Sequence, residues 1–280
     1  MKSLIAFFIL ITLITVFSFA FGDDFIIDEP GSGSNINKPN TEPVSQPPAY
    51  APPSAAGKAV NSIGSVPIPV GLGRGTVYSE FTMYDSGGVN AKFAVGIMDA
   101  IDIGISENLD GLIGSGDVNV NVPSAYIKIT LIKNLNNFNW ALGYDNFAYG
   151  TAGTYYPTNT NETPSTISGF YTAVGWHYSA IGGDDILSTG IRFPLLPAEE
   201  RDITNTSLFI GATISAPQYI SLGLTVENFF FDMTRAQYIL PSVIFNIAPS
   251  PPFNISLILQ YDFSVGRLNR IFSMSYAAGF

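Results

Sequence analysis

The sequence has no cysteine among its 280 residues. Disulfides, thiol catalysis, cysteine-ligated metals and a lipidated cysteine anchor are thereby excluded. Histidine occurs once, at position 177, leaving a single imidazole for acid–base work. Charge is scarce as well: 12% of residues are charged, against the ~25% usual in soluble domains. Basic residues are the scarcer sign, 12 Lys and Arg against 22 Asp and Glu, for a net charge of −10. No basic stripe is available to neutralise phosphates, which argues against nucleic acid as a partner. Long apolar runs are missing everywhere but the N-terminus, although 46% of the residues are hydrophobic. A helical membrane bundle needs several runs of ~20 apolar residues, so the apolar content must be spread by alternation.

The N-terminal run, Met1 to Gly22, carries one Lys2, an apolar core from Leu4 to about Phe19 and small residues at Ala20 and Gly22. This is the pattern of a secretory signal peptide cut after Ala20 or Gly22, with an uncleaved anchor as the alternative. Residues 23–65 are different material: acidic at Asp23, Asp24, Asp28 and Glu29, then rich in Gly, Ser and Pro. Without a usable period, and with prolines removing donors, this stretch is expected to be a disordered or semi-rigid periplasmic tether. A segment read by a proline-binding partner is the other option.

From 66 to 280 the text becomes strands separated by turn chemistry. Twelve are expected: Thr76–Tyr84, Val89–Met98, Ile101–Ser106, Pro123–Lys133, Asn137–Ala148, Ser168–Tyr178, Ile186–Phe193, Thr206–Ser215, Tyr219–Phe231, Arg235–Ile247, Phe253–Phe263 and Arg270–Phe280. Most approach the ~9–11 residues with which a tilted strand crosses a bilayer. Alternate links are short (Asp99-Ala100, Asn134–Asn136, Ala216–Gln218), while others are long and polar (108–121, 150–167, 195–205).

The strands have two unlike faces. Ile220, Leu222, Leu224 and Val226 alternate with Ser221, Gly223, Thr225 and Glu227; Ile127, Ile129 and Leu131 alternate with Tyr126, Lys128 and Thr130. A soluble sandwich would turn the apolar face inward; a membrane barrel turns it to lipid. Aromatics favour the barrel, because they gather near both strand ends. One set is Trp140, Trp176, Tyr219, Phe253 and Phe280; the other is Tyr84, Phe147, Phe170, Phe230, Tyr261 and Phe272. The chain closes on Phe272, Met274, Tyr276, Ala278 and Phe280 along one face. That stretch resembles the C-terminal strand of bacterial outer-membrane β-barrel proteins. The resemblance implies an all-β fold, a transmembrane antiparallel up-and-down β-barrel of about twelve strands. It also implies an outer-membrane location, contact with outer-membrane lipid, and recognition of Phe272, Met274, Tyr276 and Phe280 by the barrel-insertion machinery. No named porin family is matched, so no functional residues are carried over.

Parity assigns the ionisable residues to the lumen. Glu80, Lys92, Asp102, Lys128 and Asp145 alternate in sign over the first five strands, and His177, Arg192 and Glu227 follow. Opposite charges on neighbouring strands are expected to pair across the ladder. They form either a self-neutralising brace or a polar track selecting a small polar solute. A Ser/His lipid hydrolase is the enzymatic case, and it needs His177 on the lipid face beside a serine; parity places His177 inside, and no G-x-S-x-G elbow occurs. Gly71–Gly75 lacks the following helix of a dinucleotide loop, and Asp110–Asp117 lacks regular acidic spacing for calcium. The expectation is therefore a porin-like passive channel or solute transporter without catalytic residue, metal or cofactor. A non-conducting structural or surface-interaction barrel is the alternative.

Overall fold

A computed structural model of the chain describes residues 61–84, 87–114, 118–120, 123–146, 168–195, 205–216, 219–230, 238–250 and 252–279. The expected signal peptide, 1–22, and most of the expected 23–65 tether lie outside these residues. Twelve long strands carry the fold. They are β1 (Thr76–Tyr84), β2 (Gly88–Met98), β3 (Ile101–Asp110), β4 (Ser124–Leu135), β5 (Phe138–Asn146) and β6 (Ser168–Tyr178). They continue as β7 (Asp185–Pro194), β8 (Ser207–Ser215), β9 (Ile220–Phe230), β10 (Leu240–Ser250), β11 (Phe253–Asp262) and β12 (Arg267–Gly279). Every neighbour in sequence is an antiparallel neighbour in space, and β12 pairs with β1. The sheet is thus a closed ring, which removes the unpaired edges that no bilayer could hydrate. Among the described residues no helix is long and apolar enough to cross a membrane.

The turns follow from local chemistry. Between β4 and β5 both loop residues, Asn136 and Asn137, have positive φ (53° and 63°). That is the type I′ geometry that matches the twist of a two-residue hairpin, and asparagine is among the side chains that tolerate it. The β2–β3 link is Asp99-Ala100, also two residues long.

Outside and inside are inverted relative to a soluble protein. Phe93, Ile105, Ile127, Ile129, Leu222 and Leu257 are exposed on the outer surface. Tyr78, Lys92, Asp102, Lys128, Arg192 and Glu227 are enclosed. Such a surface is stable only against hydrocarbon. Trp140, Trp176 and Tyr219 sit outward near the short-turn end, with Phe138 and Trp176 rings 4.9 Å apart. Phe170 and Tyr261 sit outward near the other, with Tyr144 and Phe170 5.1 Å apart.

Two belt assignments need correction. Tyr84 points inward, 5% exposed, its hydroxyl donating to Asn108 Oδ1 at 2.5 Å. Phe230 is also inward at 3%, while Phe229 is exposed. Simple alternation fails there because Asn228 adopts φ 56° and shifts the parity of the last residues of β9. Phe147 and Phe280 lie outside the described residues.

Candidate functional site

The lumen gathers most of the ionisable residues singled out by parity. Asp102 and Lys128 are register partners on β3 and β4, 3.6 Å apart and 1% exposed each. Lys92 on β2 reaches Asp145 on β5 at 2.6 Å, and Arg192 on β7 reaches Glu227 on β9 at 2.5 Å. Only the first of these pairs joins adjacent strands, contrary to the expected ladder pairing. In a narrow closed wall, long cationic side chains span the concave surface and meet carboxylates two or three strands away. Glu80 accepts hydrogen bonds from Tyr78 (3.0 Å), Thr82 (3.3 Å) and Ser273 (3.1 Å).

His177 stands apart from this group. It lies at the end of β6, 3.1 Å from Asp184, and the two side chains are 30% and 74% exposed. Parity gave the face but not the depth, and at a rim the face no longer means enclosure. In β12, Phe272, Met274 and Tyr276 share the outer face, whereas Ile271, Ser273 and Ser275 are buried. The calcium-type loop falls partly outside the described residues, and among those described no three ligand side chains cluster.

The feature that sequence reasoning missed lies inside the barrel. Ser62–Ile63 and Val66–Pro67 form a small hairpin, closed by Gly64-Ser65. Gly64 has φ 61°, as the first loop position of a II′ turn requires. The 65/66 boundary between tether and barrel therefore falls at the end of this turn. Ile63, Val66 and Ile68 are 1%, 0% and 6% exposed, packed with Phe209, Ile244, Ile258 and Ile271 of the wall.

The wall is shaped for this hairpin. A Cβ on Gly223 would stand 3.0 Å from Ile63, and one on Gly211 3.2 Å from Val66. The buried ion pairs also grip the segment. Arg192 donates to the Ser65 carbonyl, and Ser65 donates to Glu227 at 2.5 Å. Lys128 donates to the Asn61 side chain, and Asn61 donates to Tyr126 at 2.8 Å. Ser188 donates to the Pro67 carbonyl at 2.6 Å, and the Leu72 amide donates to both Asp102 oxygens at 3.1 Å. The sequence signal was present as Ile63-Gly64-Ser65-Val66, a two-residue turn between β-branched residues. Its brevity and its proline-rich surroundings masked it.

Register partners arrange the remaining lumen wall in rows. One row runs Ser215, Ser221, Asn246, Ser256, Ser273, Thr82, Asn90 and Asn108, each the partner of the next across eight strands. It climbs from the short-turn end of β8 toward the long-loop end of β3, and every member is a hydroxyl or an amide. Asn246 donates to Ser221 at 3.1 Å, Ser256 to Asn246 at 2.6 Å and Thr82 to Ser273 at 3.2 Å. Two residues further along the strands lies an apolar row, Ile244, Ile258 and Ile271. Beyond that, Thr225 and Ser242 face each other, both at least 95% buried, and neither hydroxyl has a protein partner.

No family model matches the chain, and no curated protein does. Solved structures similar to it are porins. For the KdgM porin the identity is 8% and the TM-score 0.43, covering 73% of this chain and 99% of that one. For the NanC porin the values are 7% and 0.40, with the same coverage. A mutant of the Rh. blastica porin gives 8% and 0.29, covering 72% of this chain and 99% of the other. At TM-scores this low the likeness is loose, and function has to be read from the barrel itself.

Proposed function

We propose that this chain is an outer-membrane, porin-like channel that rests closed, its lumen filled by its own segment 61–72. The observation that supports this reading is the wall beneath the hairpin. Uncharged polar side chains line it in one continuous row. A barrel built only to be solid would be better filled with apolar side chains, because each buried polar group must find a partner. The outward aliphatic face supports a bilayer setting, and the signal-like residues 1–22 support export to the outer membrane. Contact with lipid and recognition of the β12 terminus by insertion machinery belong to the same reading.

Ile63, Val66 and Ile68 each contribute about 1.5–3 kcal/mol by burial. Offset in part by the conformational entropy of ordering the segment, these contributions leave a closed state favoured by a few kcal/mol and an open minority of about 0.1–10%. In planar bilayers the purified full chain should therefore show rare, brief openings. The same chain carrying Ile63→Asp and Val66→Asp should conduct steadily, since two carboxylates cannot remain in that apolar seat. Silence in both proteins, with the barrel folded, would favour the second reading, a non-conducting scaffold. The fit of Ile63 and Val66 against Gly223 and Gly211 is the observation on that side.

A further inference from the structure

We propose that the hydroxyl and amide row is a binding track for neutral, hydroxyl-rich solutes of the sugar or polyol class, and that anionic solutes are disfavoured on it. The inference rests on the channel reading and names what the channel would take. Three features of the wall converge on this chemistry.

The first is charge placement. The enclosed cations Lys92, Lys128 and Arg192 each face a carboxylate, at 2.6, 3.6 and 2.5 Å. None of them belongs to the row. Glu80 stands next to it and accepts from Thr82 and Ser273, while at its two ends Asn108 donates to Asp110 and the Ser215 amide to Asp185. A carboxylate beside the track repels anions and accepts hydrogen bonds from hydroxyl groups.

The second is donor and acceptor balance. Serine, threonine and asparagine side chains each both donate and accept, so they can exchange their present mutual bonds for bonds to a solute hydroxyl in either sense. The unpartnered hydroxyls of Thr225 and Ser242, two rows away across the isoleucine strip, add two groups that a solute could satisfy.

The third is the neighbouring isoleucine row. It lies two residues along each strand, a spacing of about 7 Å. A sugar presents apolar C–H faces as well as hydroxyl edges, and the wall offers a strip for each. A small cavity already lies against the track, bounded by Tyr78, Glu80, Asn254, Ser256, Ser273 and Ser275 and capped by the inner hairpin.

The test is osmotic swelling of vesicles containing the full chain with Ile63→Asp and Val66→Asp. A second opened form, Gly223→Val, guards against misfolding of the first. Glucose, gluconate and glucosamine, alike in size but neutral, anionic and cationic, are the probes. Glucose should enter at least several-fold faster than gluconate in both opened forms. Adding Asn246→Leu should reduce glucose entry several-fold while the potassium chloride current falls little. Gluconate entering as fast as glucose, or a glucose rate untouched by Asn246→Leu, would overturn the proposal while leaving the channel intact. Absence of both ion current and swelling in folded barrels would remove the channel reading, and this inference with it.

Discussion

Glu227 shows how much one side chain carries in this lumen. It accepts from Arg192 and from Ser65 within a site 2% exposed, so wall and hairpin share a single carboxylate. Removing one partner of a buried ion pair strands the other charge, at a cost of about 3–5 kcal/mol, whereas apolar replacement of both is often neutral. Glu227→Gln should thus lower barrel stability by that order in denaturant unfolding. The double variant Arg192→Met with Glu227→Leu should recover most of the loss. A double-variant loss equal to the sum of the two single-variant losses would show that the pair contributes no coupling. Sequence parity found these two residues and their face. It did not find their partnership, because alternation along a strand says nothing about which side chains meet across a curved wall. It failed outright at Phe230, where Asn228 inserts a residue of positive φ into the strand.

At the level of elements, the twelve strands were legible because each is long, alternating and bounded by turn chemistry. The expected Thr76–Tyr84 and Ser168–Tyr178 coincide with β1 and β6, and the Asp99-Ala100 hinge is the β2–β3 turn. The inner hairpin was not legible. Its strands are two residues each, too short for any period, and its stability comes from a wall assembled by residues more than a hundred positions away. The chain lacks native cysteine, so a single introduced thiol reports cleanly on the hairpin. A Val66→Cys thiol should react slowly with a small aqueous reagent in the otherwise native chain. Combining it with Gly223→Val, whose added bulk meets Ile63, should accelerate the reaction at least tenfold. Equal rates would mean that the wall glycine does not seat the hairpin.

The whole molecule is defined by its inverted surface. Ile129 lies midway along β4 and faces outward, 39% exposed, next to the enclosed Lys128. Lysine on the lipid face near mid-depth costs about 2–4 kcal/mol. Ile129→Lys should therefore destabilise the barrel by that amount in reversible unfolding from lipid vesicles. In a water-soluble barrel the same change on an exposed side chain would be nearly neutral, so the measurement separates the two settings. The membrane character was readable from the sequence because low charge, two-faced strands and aromatic ends all state one physical constraint. Whether the lumen is filled was not readable, since hydropathy reports the face of a strand and not what lies beyond it.

The inner hairpin is joined to β1 by residues 68–75, with positive φ at Gly73 and Gly75 marking the bend. Were it to leave its seat, it could travel no further than about 3.3–3.6 Å for each residue of that leash. Its return would be a unimolecular event, governed by the local concentration the leash enforces and indifferent to how many copies share the membrane. Open dwell times should consequently stay constant on dilution, and lengthening the leash at Gly73 should prolong them.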